Sequence, residues 1–330
     1  MSTLSVCVIA KNEEKFLEQS LSSIMTVADE VIFVDTGSKD STVEIARKFT
    51  NNIHHFEWVD DFSAAYNYST DRATQDYIFR WDADFYCPPE TLVVIDKLKN
   101  CNFNDHNIIA GRWANIDTNS GLLTGFVLRD LIYKRGIYRS YSPIHAFIKP
   151  EIGVATKRLV VEELLIEHHK DSVVKLHRYD QSYKLIAKAL SANPSDTHLR
   201  FHLILALIYL ERLEEANSEI DRFLKQWPDY IDSRVCMLLE KKLACLIGLN
   251  QADKASLIIK DYKPRLYGNL QFLLLEADIT SLVDVDMAIK KYRKFIKLNK
   301  GPESIDGPYI FERYETHPRI MLSKLGATLS

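Results

Sequence analysis

The sequence predicts an α/β domain built on a mostly parallel sheet, followed by an all-α domain of repeated helical hairpins. Three observations carry this expectation. Over roughly the first 150 residues, short β-rich runs alternate with helix-like segments. Beyond about Asp171 the apolar period becomes that of successive amphipathic helices. In that second part prolines recur at near-constant spacing, Pro228 lying 34 residues after Pro194, Pro264 a further 36 on and Pro302 a further 38. The expected boundaries are 1–170 for the α/β domain, 171–302 for the repeats and 303–330 for a C-terminal tail.

Taken in order, "LSVCVIA" (Leu4 to Ala10) reads as a strand and the charged, amphipathic "NEEKFLEQSLSSIM" as the helix behind it. "VIFVD" and "STVEIARKF" repeat that βα unit. "IHHFEW" supplies a third strand, leading into the helical "FSAAYNYSTDRAT". "YIFRW" delivers Asp82 and Asp84 at its C-terminal end, and Pro88-Pro89 then forbids continuation of the strand. In open α/β sheets ligands gather at that edge. In the second part each proline closes a helical stretch, "LSANP", "LKQWP", "KDYKP" and "LNKGP". Ala216 and Ala252 stand 12 residues before their prolines, where paired helices need a small side chain. The spacing is that of tetratricopeptide-like hairpins, with a degenerate fourth unit in "MAIKKYRKFIKLN" and without the usual Trp, Gly and Tyr of the first helix.

Composition bounds the function. A hydrophobic fraction of 46% over 330 residues suffices for a sizeable core. With 42 basic and 45 acidic residues the net charge is -3, so no overall positive field exists to collect nucleic acid. The longest apolar runs, such as "LILALIYL", fall short of the roughly 18 residues a membrane span requires. No signal-like segment opens the chain. The five cysteines are widely spaced and never form C-x-x-C, which suits reduced thiols and a cytoplasmic protein rather than a disulfide framework or a cysteine-zinc site. Cys7, inside an apolar strand, reads as a small core residue. Peripheral membrane contact stays open.

Within "WDAD", alternate strand residues face one way, so Asp82 and Asp84 form an oxygen-rich cation site if the extended conformation persists. A Mg²⁺ or Mn²⁺ ion held by one or two carboxylates completes its shell with water and substrate phosphate oxygens, which implies a phosphorylated ligand. The rival reading is a turn rich in Asp.

The ordered set "SVCVIAKNEEKFLEQSLSSI", "DEVIFVDTGSKDSTVEIA", "FEWVDDFSAAYNYS" and "YIFRWDAD" resembles glycosyltransferase family 2, with the GT-A fold, in a branch that often carries tetratricopeptide repeats behind its catalytic domain. The resemblance covers roughly the first 170 residues well and the helical half loosely. It implies that Asn12 and Glu13 border the base and ribose of a nucleotide, and that Asp35 holds the uridine portion. Asn12 and Asp40 equally suit helix capping, and "TGS" is ordinary turn chemistry. Thr36 stands where many relatives have a second Asp. Tyr66 replaces an Arg suited to the diphosphate, while Asn67 is retained as a donor-binding or structural hydrogen bonder. Asp84 is implied as the metal ligand and Asp82 as its companion or as a partner of ribose or sugar hydroxyls. "RDLIYKRGIYRSYSPIHAFIKP" places Arg129 at a donor-binding Arg and His145 at a conserved-role His, with Ala146 in place of Glu. His145 would serve there as a third metal ligand or as a proton acceptor. His168 resembles a His that follows the last catalytic-domain strand, although His168 and His169 also suit a solvated turn.

The resemblance therefore implies a hexosyl-type glycosyltransferase. It would use Mn²⁺ or Mg²⁺, take a nucleotide-sugar donor, expected to be a UDP-sugar, and invert the anomeric carbon onto a glycan, lipid-linked or peptide acceptor. Position alone leaves His145, Asp117 and Asp130 open as the base. Two rivals stand beside this reading: a catalytically weak domain serving a helical-repeat interaction scaffold, motivated by Tyr66 and Ala146, and a nucleotidyltransferase that would release pyrophosphate.

Overall fold

The computed structural model describes residues 1–118, 122–170, 175–226, 233–299 and 311–327. The chain divides into two compact units, Met1–Lys175 and Leu176–Ser330.

In the first unit an eight-stranded sheet has the order β3-β2-β1-β4-β7-β6-β10-β5. Its parallel half is β1 (Leu4–Ala10), β2 (Glu30–Asp35), β3 (Ile53–His55) and β4 (Tyr77–Asp82). The connecting helices are α1 (Leu17–Ile24), α2 (Thr42–Ala46) and α3 (Phe62–Thr70). β1 and β2 read as continuous apolar runs because both faces of the sheet are covered. Leu4, Val6 and Val8 join one core with Phe33, Phe79 and Trp81, to which α1 adds Leu17, Leu21 and Ile24, while Cys7, Ile32, Val34 and Ile78 join another. The α1 residues recur at helical spacing, so a single stripe of the helix is buried. Cys7 is fully buried, as expected of a core thiol.

After β4 the chain turns at Ala83 and Asp84 and crosses to β5 (Phe85–Tyr86) at the other edge of the sheet. Pro89 occupies the first turn of α4 (Pro89–Asn100), where its missing N–H costs nothing. The long strands β6 (Ile108–Asp117) and β7 (Leu122–Lys134) pair antiparallel, and β10 (Arg158–Lys170) lies parallel to β6. Between the Ala110–Val160 and Arg112–Leu165 pairs β10 bulges opposite Gly111. A Cβ on Gly111 would stand 2.4 Å from the Leu164 carbonyl oxygen, so only glycine fits. A separate two-stranded sheet joins β8 (Tyr138–Tyr141) to β9 (Phe147–Pro150).

The second unit is all helical: α5 (Lys175–Ala192), α6 (Thr197–Tyr209), α7 (Leu213–Gln226), α8 (Ser233–Gly248), α9 (Ala255–Leu266), α10 (Leu270–Ser281), α11 (Val285–Leu298) and α12 (Phe311–Lys324). Asp196, Asn269 and Asp284 cap α6, α10 and α11, each accepting a backbone N–H three residues on. Two details of the repeat differ from expectation. Pro264 lies inside α9 rather than ending a helix, and the buried alanine of that unit is Ala255, whereas Ala252 is only half-buried in a preceding 3₁₀ turn. Ala216, Ala255 and Ala288 open the second helix of successive hairpins and are all buried, because the close approach sits at the helix start. Pro228 and Pro302 lie outside the described residues. Residues 303–330, expected as a tail, include α12, whose Leu322 is fully buried in a cluster with Tyr292 and Phe295. No helix among the described residues is long and apolar enough to cross a membrane.

Candidate active site

Register brings the motif ends together. Ala10 pairs with Asp35, and Ile9 pairs with Asp82, so the two carboxylates close the strands on either side of β1. That is two strand spacings, roughly 10 Å.

The loops after β1 and β2 are stitched to each other by side chains. Asn12, with φ 56°, takes the left-handed conformation that Asn tolerates. Its backbone N–H donates to Ser38 Oγ, and its carboxamide oxygen accepts the Lys39 N–H at 2.8 Å. The Glu13 N–H donates to Thr42 Oγ1 at 2.7 Å, while the Asp40 carboxylate accepts from the backbone of Glu14 and Thr42. Thr36 turns its hydroxyl back to the Ala10 carbonyl. Asp35 is 7% exposed and accepts the backbone N–H groups of Gly37 and Ser38 at 3.1 and 3.0 Å, with His55 Nδ1 at 3.3 Å. Burial pushes the Asp35 carboxyl up, but the hydrogen bonds from Ser38, Gly37 and His55 outweigh it and hold the group below the usual range. Asp35 is thus a fixed anion that organises the "TGS" turn.

The two carboxylates of "WDAD" take separate partners. β4 ends at Asp82, and the turn at Ala83 and Asp84 breaks the alternation on which a shared face depended. Asp82 Oδ1 accepts the Tyr66 hydroxyl of α3 at 2.6 Å. Asp84 Oδ2 lies 2.9 Å from His168 Nε2, and the Asp84 carbonyl accepts the His169 N–H. The antiparallel pairing of β5 with β10, which sets Phe85 opposite His168, produces this contact. His168 is buried against Trp113 and Phe85, with ring centroids 4.8 and 5.3 Å away. Neither His168 Nδ1 nor Trp113 Nε1 has a hydrogen-bond partner there.

The remaining candidates fall in several places. The Asn67 carboxamide donates to the Ser140 carbonyl and accepts the Ser140 N–H, both at 2.9 Å, tying α3 to β8 as a strand neighbour would. The Arg129 guanidinium stacks 3.7 Å above the Trp113 ring. Asp130 Oδ2 accepts from Arg158 at 2.6 Å, and burial raises its carboxyl above the usual range against the pull of Arg158 and Arg80. His145 is exposed in the turn between β8 and β9, with φ 51°. The Asp117 side chain lies outside the described residues; its backbone pairs with Leu122 and Lys170.

The expected cation trio of Asp82, Asp84 and His145 is not assembled, since among the described residues no three His, Cys, Asp or Glu stand around one ion position. Asp84 instead meets His168, whose surrounding sequence equally suits a solvated turn. Trp113 carried no signal in sequence, and its contact with His168 arises from the pairing of β6 with β10.

Residues 5–142 match the family model described as "Glycosyl transferase family 2". A "TPR repeat-containing protein" of Synechococcus elongatus is 42% identical over 84 residues, covering 26% of this chain and 21% of that protein. The "SPbeta prophage-derived glycosyltransferase SunS" of Bacillus subtilis is 34% identical over 84 residues, covering 25% and 20%. The chain thus spans about a fifth of the length of these curated relatives. The solved structure of S. aureus TarS 1-349 in complex with UDP-GlcNAc superposes with a TM-score of 0.41 at 15% identity, covering 79% of this chain and 92% of that one.

Proposed function

Residues 5–142 are a glycosyl transferase family 2 domain, and from that premise we propose that the chain is an inverting, divalent-metal-dependent glycosyltransferase taking a UDP-sugar to a glycan, lipid-linked or peptide acceptor. One observation carries the reading: Asp35, Asp82 and Asp84 all stand at the C-terminal edge of the sheet, on or just beyond the two parallel strands that flank β1 in the matched segment.

Asp35 and the bases of the two stitched loops would receive the nucleoside, and Asp82 would accept from ribose or sugar hydroxyls. Asp84 and His168 fit a divalent cation, because they offer one carboxylate oxygen and one imidazole nitrogen 2.9 Å apart and leave most of a shell to water and diphosphate. When bound, that Mn²⁺ or Mg²⁺ would neutralise charge developing on the departing diphosphate. The acceptor hydroxyl needs a base on the opposite face of the sugar. Exposed His145 suits this better than Asp130, whose one oxygen is held by Arg158 and whose other is buried.

Calorimetric titration with UDP tests the reading. Affinity should fall at least about tenfold in chelator, in Asp84→Ala and in His168→Ala, the loss of roughly one charge-assisted contact. Equal affinity under all conditions would sink it. Metal-dependent hydrolysis of UDP-sugars without acceptor separates the enzyme from a helical-repeat scaffold, and release of UDP rather than pyrophosphate separates it from a nucleotidyltransferase.

A further inference from the structure

Tyr66 and Ala146 were conspicuous in sequence, and a single side chain, Arg80, touches both. Its guanidinium lies 4.4 Å from the centroid of the Tyr66 ring, and a terminal nitrogen donates to the Ala146 carbonyl at 2.9 Å. Tyr66 is 7% exposed, and its hydroxyl donates to Asp82 Oδ1 at 2.6 Å. Arg80 and Asp82, two apart on β4, fall on one side of the strand. The β4–β7 pairing ends at Phe79, so Arg80 to Asp82 have no partner on β7. The β8–β9 turn is tied down independently, because the Pro143 carbonyl accepts the first N–H of α3 and Asn67, next to Tyr66, holds Ser140.

We propose that Tyr66 and Arg80 are positioning residues that set the Asp82 carboxylate and the His145 turn as one unit. This rests on the donor-site reading above. The phenol occupies Oδ1 of Asp82 and stops the carboxylate from rotating, which leaves Oδ2 to accept from a ribose hydroxyl of the donor. Arg80 holds the ring face of Tyr66 with its guanidinium and the backbone next to His145 with its terminal N–H. A carboxylate fixed before the ligand arrives loses less freedom on binding, so the pair acts on affinity through preorganisation rather than by touching the donor. Burial and the neighbouring Asp82 both push the Tyr66 hydroxyl well above its ordinary value, so it stays a donor throughout the neutral range.

The test measures UDP affinity in Mn²⁺ by calorimetry, carried to millimolar UDP, with thermal unfolding of each variant alongside. Tyr66→Phe keeps the ring under Arg80 and removes only the hydroxyl. It should raise the UDP Kd about fivefold to tenfold, the size of one preorganising hydrogen bond. In an Asp82→Ala background the same change should have no effect on Kd. A buried tyrosine that only satisfies its hydroxyl would change unfolding temperature and leave Kd alone, or weaken binding equally in both backgrounds; either result overturns the proposal. Arg80→Lys, which keeps the positive charge, should retain more affinity than Arg80→Met, and equal affinity in wild type and Arg80→Met overturns the role of Arg80. Failure of the wild-type protein to bind UDP would be a different result, removing the donor reading and this proposal with it.

Discussion

At Asp35 a largely buried carboxylate keeps its charge because two backbone N–H groups and His55 point at it. Its folded pKa lies below the ordinary 3.8, so its stabilising contribution is fully present above that value and is lost as pH falls through the lower folded value. Asp35→Asn replaces one accepting oxygen by a donor that faces N–H groups. The stability gap between wild type and variant should therefore be full above about pH 5, and close as the pH drops below the ordinary carboxylate range. Urea unfolding from pH 7 to pH 2.5 checks this, and a gap that stays constant down to the lowest pH contradicts it. The site carboxylates work at the same scale by having separate partners: Asp82 is fixed by a phenol and Asp84 by an imidazole. That separation follows from the turn at Ala83 and Asp84, and under the proposed function it would give the pair two tasks instead of one.

Between elements, one side chain can replace a backbone ladder. Asn67 pairs with both backbone groups of Ser140, so α3 is held to β8 much as a neighbouring strand would be. Asn67→Ala leaves that N–H and carbonyl without their partner and should cost about 1–3 kcal/mol. The effect should reach the His145 turn, lowering transfer more than UDP affinity. A loss of stability below about 0.5 kcal/mol, the ordinary range of surface changes, would mean water replaces both bonds. Gly111 tests packing in the same way. A methyl there meets the Leu164 carbonyl at 2.4 Å and Leu131 Cδ1 at 2.9 Å, in the middle of the β7-β6-β10 ladder. Gly111→Ala should destabilise by about 1–3 kcal/mol or more, as overpacking does, which denaturant unfolding would read as a lower midpoint at unchanged slope.

Each of the two units has its own core. The sheet unit packs around Phe79, Trp81 and Phe33, and the helical unit around Phe223, Phe272 and Leu275. If each core melts as its own cooperative unit, calorimetry should resolve two transitions, and UDP with Mn²⁺ should raise only the one belonging to the sheet unit, since a ligand stabilises the state that binds it. A single transition that moves as a whole would show the units to be energetically coupled. If the helical unit selects the acceptor of the proposed reaction, a task that stacked hairpins suit, charge reversals on it should raise the acceptor's KM and leave donor hydrolysis near its original rate. A parallel fall in hydrolysis and transfer, with the protein folded, would mean that both units build one site.

The strands and helices around the first three βα units were legible in the sequence because both depend on short-range chemistry. Apolar runs made β1, β2 and β4, helical stripes made α1, and Pro88-Pro89 announced the break before α4. The family motifs were legible for the same reason, being contiguous strings whose strand ends reach the sheet edge together. Pairings between residues far apart in sequence were not legible. Asp84 finds His168 through the β5–β10 register, and Arg80 finds Tyr66 and Ala146 where β4 parts from β7. Nor did spacing alone distinguish Ala252 from Ala255, since the 3₁₀ turn before α9 shifts which alanine meets the neighbouring helix. Local propensity and periodicity decide which elements form and which strand ends carry charge, whereas register, bulges and turns decide which charges meet, because those depend on closing the whole sheet.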